Sequence, residues 1–133
     1  MLLGLLVSLA GCSREPPEQA LRATIAAMEA AAEARDSEAL LERLSEDFVG
    51  PDGMDRERLR RYLALIWLRN REVGVGLGPI QVELVGLGAR AEFTATTRGG
   101  GGLVPDRVYR VKTGWRMEAG QWRLLSAEWE PVL

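Results

Sequence analysis

The strongest constraint in this sequence is a change of hydrophobic period near Glu72. After it, apolar side chains recur every second residue. Ile80, Val82 and Leu84 alternate with Gln81 and Glu83, and Ala89, Ala91, Phe93 and Ala95 alternate with Arg90, Glu92, Thr94 and Thr96. Tyr109, Val111, Thr113, Trp115 and Met117 alternate with Arg110, Lys112, Gly114 and Arg116. A period of two belongs to strands with one buried face. Gly86-Leu87-Gly88 and Ala119-Gly120 supply reversals, and a longer loop covers 99–105. A glycine-interrupted strand is expected at 73–77. The last strand, from Gln121 to about Glu130, places Trp122 and Leu124 on one face and Leu125, Ala127 and Trp129 on the other. A strand apolar on both faces is central, or turns one face to a partner.

Before Glu72 the period is helical. Pro16-Pro17-Glu18 opens a first helix, near 17–35, with Leu21, Ile25, Met28 and Ala32 along one face. Asp36 or Ser37 caps a second, with Leu40, Leu41, Leu44 and Phe48 inward. Gly50-Pro51-Asp52-Gly53 is a turn by its chemistry. Asp55 caps a third helix to about Asn70, with Leu59, Tyr62, Leu63, Ile66 and Trp67 as its stripe. Six arginines (56, 58, 60, 61, 69 and 71) crowd its other faces. They suggest an anion patch, yet charge runs on helices usually just keep a face wet, and Glu57 offers Arg61 a local partner. Helices followed by a meander of hairpins make an α+β domain.

The N-terminus has a different character. Met1 to Ser8 is an apolar run, followed by Leu9-Ala10-Gly11-Cys12. Small residues before a cysteine at the end of such a run resemble the lipobox of bacterial lipoproteins. The run is far short of the ~20 residues that span a bilayer and fits the ~7–15 of an export signal. It lacks the usual positive start, since residues 1–13 hold no Lys or Arg. An ordinary signal peptide with an incidental cysteine and a buried N-terminal strand remain the other two readings. The resemblance implies acylation of Cys12, cleavage before it and a membrane anchor. In that family an Asp after the cysteine often means inner-membrane retention, so Ser13 points to the outer membrane, facing the periplasm. The chain divides into a signal at 1–11, a lipidated end and tether at 12–17, and a domain at 18–133.

Composition removes several chemistries. Among 133 residues there is no histidine and one cysteine. A Cys/His zinc site, a histidine-based triad and an internal disulfide are excluded. The formal net charge of −2 supplies no field for nucleic acid. No metal or cofactor is expected. Gly74-Val-Gly76-Leu-Gly78 follows a helix instead of opening one, so it is no dinucleotide loop. Gly99 to Gly102 has no following Lys-Ser/Thr and cannot be a phosphate loop; it is a flexible hairpin loop or a lid.

Three helices, a turn and a curved antiparallel sheet resemble the nuclear transport factor two-like superfamily, the cone fold of SnoaL-type cyclases and ketosteroid isomerase. Ala20 to Phe48 looks like its first helical hairpin, with Leu44-Ser45-Glu46-Asp47-Phe48 entering a short strand. Trp115 to Leu124 looks like its last hairpin. The resemblance covers roughly 18–131. It implies helices packed on a strongly curved antiparallel sheet, a pocket between them, and often a dimer through the sheet's outer side. Isomerase-type catalysis needs a carboxylate in the cone and acidic hydrogen-bond donors opposite. The candidate donors are Tyr62 and Tyr109, and the candidate acids Asp47 and Glu128. Tyr62, Trp67, Phe93, Tyr109, Trp115 and Trp129 either line an apolar pocket or fill it. The fold hosts many functions. The expectation is a lipid-anchored domain that binds a small apolar ligand or a protein without catalysis. A lipid-anchored isomerase, dehydratase or cyclase is the opposing reading, and a homodimeric scaffold with Leu125 and Trp129, or their opposite-face neighbours, on an exposed sheet face is the third.

Overall fold

The computed structural model describes residues 15–69, 73–99 and 107–132. Helix α1 spans Pro17–Glu33, with proline in its first turn, where a missing N–H costs nothing. It buries Leu21, Thr24, Ile25 and Ala31. The chain reverses through Arg35, whose φ is 56°. The Asp36 side chain then caps α2, Ser37–Leu41, by accepting the Ala39 N–H at 3.1 Å.

Helix α2 ends sooner than the sequence suggests. Leu44–Val49 is a strand, β1, so Leu44 and Phe48 are buried from a strand and not from a helix. Residues four apart share a face in both structures, so this spacing does not discriminate between them. Pairing decides: β1 lies parallel to the last strand, with Leu44 opposite Leu124 and Val49 opposite Ser126. A tight turn at Pro51–Gly53 leads to α3, Arg56–Arg69, where Asp55 accepts the Arg58 N–H at 2.8 Å.

The remaining strands are β2 (Val73–Leu77), β3 (Gln81–Val85), β4 (Gly88–Gly99), β5 (Arg107–Glu118) and β6 (Gln121–Pro131). Their order is β1-β6-β5-β4, with β3 and β2 sharing the far edge of β4. β3 pairs with Gly88 to Glu92, and β2 with Ala95 to Gly99. All neighbours are antiparallel except β1 and β6, so the sheet is mixed.

One irregularity sets which way β6 faces. Trp115 pairs with Leu124 while Gly114 pairs with Ser126, leaving Leu125 as an extra residue. Such a bulge re-phases the strand and bends it. Trp122 and Leu124 before it, and Ala127 and Trp129 after it, therefore share the inward face. The expected two-faced apolar strand is corrected: β6 turns Arg123, Ser126, Glu128 and Glu130 outward. Gly114 leaves room at the bulge, because a Cβ there would lie 2.5 Å from Ser126 Oγ and displace that side chain.

The core joins Leu21, Ile25, Leu41, Leu44 and Phe48 to Ala89, Ala91, Trp115, Trp122 and Leu124. Its polar atoms are matched. Trp115 Nε1 donates to Thr113 Oγ1 at 2.7 Å, and that hydroxyl donates to the Ala91 carbonyl at 2.7 Å. Trp122 Nε1 donates to the Pro17 carbonyl at 2.9 Å, fastening the start of α1 to the β5–β6 hairpin.

Gly114→Ala is expected to destabilise the domain by about 1–3 kcal/mol, the usual cost of overpacking. Adding Ser126→Ala removes the clashing oxygen, and denaturant titration of the double variant should recover much of the loss.

Candidate functional site

Burial fades along three strands in the same direction. On β5, Trp115 and Thr113 are buried, Val111 and Tyr109 half-buried and Arg107 exposed. On β4, Ala89 and Ala91 are buried and Phe93, Ala95 and Thr97 half-buried. On β6, Ala127 is buried, Trp129 half-buried and Pro131 exposed. Register aligns these positions in rows: Phe93, Val111 and Trp129, then Ala95, Tyr109 and Pro131, then Thr97 and Arg107. One end of the concave surface is packed, and at the other end, its mouth, the described residues cover these side chains only in part.

Helix α3 leans over this mouth. It fully buries only Leu59, while Leu63, Ile66 and Trp67 are half-buried. The Tyr62 ring stacks on Trp129, with centroids 6.3 Å apart and planes at 27°. Offset aromatic pairs of this kind are favourable. Burial pushes the Tyr62 hydroxyl above its ordinary value of 10.0; Tyr109 adds to the rise and Arg107 opposes it. Tyr62, Tyr109, Trp129 and Arg107 thus gather around one space.

The sequence-derived candidates divide accordingly. Tyr62, Tyr109, Trp129 and Phe93 belong to the mouth, and Trp67 is half-buried on the same helix as Tyr62. Trp115 does not line the mouth; it is 4% exposed and fills the core. Neither candidate acid reaches the concavity. Glu128 adjoins Trp129 on a strand, so it points to the opposite side. There it shares a depression of about 300 Å³ with Pro51, Arg110, Lys112, Trp129 and Glu130. Two cations and two carboxylates make this outer depression polar.

Asp47 also lies outside the cone. Arg116 reaches from β5 over β6 to β1, donating to Asp47 Oδ2 at 2.8 Å and Ser45 Oγ at 2.9 Å. Its Nε donates to Glu118 Oε2 at 2.8 Å. Hydrogen bonds from Ser45 and then Arg116 hold the Glu118 carboxyl below the usual range. Asp47 is therefore a partner in a structural clamp. The inward positions of β4, β5 and β6 hold no carboxylate, only apolar groups, hydroxyls and Arg107 at the rim. Arg107 was not anticipated, although it has the same strand parity as Tyr109. Cys12, Arg71 and the 100–105 part of the glycine loop lie outside the described residues. No described helix is long and apolar enough to cross a membrane.

No protein-family model and no curated protein matches the chain. Solved structures do. A protein from Nostoc punctiforme with a cystatin-like fold superposes with a TM-score of 0.73 at 18% identity, over 86% of this chain and 90% of that one. An NTF2-like protein from Pseudomonas putida gives 0.73 at 18% identity, over 83% and 82%. The domain has an NTF2-like fold. A dehydratase candidate of the NTF2-like family from Streptomyces avermitilis gives 0.72 at 23% identity, over 86% and 94%. Identities at this level establish the NTF2-like cone and leave the activity to be argued from the site.

The clamp carries a pH signature. The folded-state pKa of Glu118 is depressed, so its contribution is present above its ordinary value of 4.5 and is lost as pH falls through the lower folded value. The stability difference between wild type and Glu118→Gln, measured by urea titration, should be largest near neutrality and shrink in acid.

Proposed function

We propose that this protein is a lipid-anchored binding protein of the bacterial envelope. Its NTF2-like domain takes up a small, mostly apolar ligand at the mouth of the cone without transforming it. The anchor is the acyl chain expected on Cys12, and the domain faces the periplasm from the outer membrane. The observation that carries the binding reading is the make-up of the mouth. Tyr62, Phe93, Tyr109 and Trp129 offer flat apolar surface with two phenol hydroxyls, and the neighbouring inward strand positions offer no proton acceptor of carboxylate type. Such a site can orient a ligand by stacking and hydrogen bonding. Among the described inward residues there is no carboxylate base of the kind that isomerase-type proton transfer uses.

The name of the Streptomyces avermitilis neighbour, a dehydratase candidate, favours the enzyme reading, as do the paired phenols. That reading needs an acid or base in the cone, and the clamp role of Asp47 and the outward direction of Glu128 count against it.

Titration with the neutral fluorescent probe N-phenylnaphthylamine tests the site. Trp129→Ala and Tyr62→Ala should each weaken binding about tenfold, near 1.4 kcal/mol, with the circular dichroism spectrum unchanged. Equal affinity in all three proteins would remove the mouth as the binding site. Labelled palmitate should enter the wild-type chain and not Cys12→Ser; equal incorporation would remove the anchor.

A further inference from the structure

Of the nine large apolar side chains exposed among the described residues, four lie at one end of the domain, while Val49, Tyr62, Leu65, Leu68 and Val132 lie elsewhere. Leu84, Val85, Leu87 and Met117 are all exposed, and Leu87 is 92% accessible. The pairing gathers them at one end. Leu84 faces Ala89 and Val85 faces Gly88, so both border the Gly86–Leu87 turn. Gly88 pairs with Arg116, and Met117 is the next residue along β5. Met117 in turn pairs with Trp122, whose indole holds the Pro17 carbonyl. The apolar cluster therefore borders the point where the N-terminal chain joins the domain.

That chain is short. The five residue steps from Cys12 to Pro17 reach at most about 17 Å. A lipid on Cys12 holds this end of the domain close to the bilayer. Two arginines at this end are engaged: Arg116 by Asp47 and Glu118, and Arg123 by the Glu42 carbonyl and Gln121. The four apolar side chains supply an apolar contact of the kind that enters the interfacial lipid.

We infer that this end of the domain seats on the membrane, with Leu84, Val85, Leu87 and Met117 in the interfacial lipid. The inference rests on the acylation of Cys12 proposed above. It orients the molecule. β4 is 12 residues long, about 35–40 Å at the usual strand rise. The mouth opens at its far end, so it faces the aqueous side.

Spin labelling tests this on the full chain isolated from membranes and placed in phosphatidylcholine vesicles. An acylated Cys12 cannot take the label, so Leu87→Cys and Leu68→Cys each carry one nitroxide. Leu68 is 83% exposed near the C-terminal end of α3, and α3 leads into β2 beside Gly99 at the mouth end. At position 87, collisions with oxygen should exceed those with a water-soluble nickel complex; at position 68 the order should reverse. The same pattern with a fifth of the lipid replaced by phosphatidylglycerol would support apolar seating. Water-like collisions at both positions would overturn the seating. Intact mass is read in parallel. A diacylglyceryl increment with water-like collisions at 87 leaves the anchor standing and sinks the seating. If the increment is absent, the unlipidated chain, with Cys12→Ser to block labelling there, is mixed with the same vesicles. Lipid-like collisions at 87 then keep the seating and discard the anchor, and water-like collisions discard both.

Discussion

The extra residue at Leu125 governs the sheet. Without it, strict alternation along β6 would send Ala127 and Trp129 to the side opposite Trp122 and Leu124. With it, all four point the same way, and the strand bends where Gly114 lets Ser126 approach. Curvature and one-sidedness thus come from one local defect in the ladder. The outer face is then free to be charged, and Arg116 can cross β6 to hold β1.

The mouth follows from where packing stops. Small residues at Ala89 and Ala91 let α1 and the tryptophans close one end of the cone. Towards the other end, the inward residues grow into Phe93, Tyr109 and Trp129, while α3 adds the exposed ring of Tyr62 and the half-buried Leu63, Ile66 and Trp67. Aromatic groups that are large but only partly covered leave surface available for a guest. The same alternation turns the described acids of the long strands, Glu92, Glu118, Glu128 and Glu130, to the other face.

Much of this was legible from spacing. The alternation along β4 and β5 gave those strands and their inward residues, and the proline and aspartate signals gave the starts of the helices. Two features were not legible. Leu44 and Phe48 satisfy helix and strand alike, and only the parallel pairing with β6 separates the two. The bulge at Leu125 has no composition of its own, so the apolar residues of β6 divided falsely between two faces. For the site, the outward direction of Glu128 follows from its adjacency to Trp129. Asp47 could be placed only once β1 was known, and Arg107 lay one alternation step beyond Tyr109.

The bond between Trp122 and the Pro17 carbonyl has a mechanical meaning. A pull on the residues ahead of Pro17 is shared between the first turn of α1, where the Pro16 carbonyl accepts the Ala20 N–H, and the β5–β6 hairpin, a ladder of ten paired positions. Force arriving there is spread along a long antiparallel ladder instead of peeling α1 away turn by turn. A domain held by its leading end can thus be tugged without losing the shape of the opening at its opposite end.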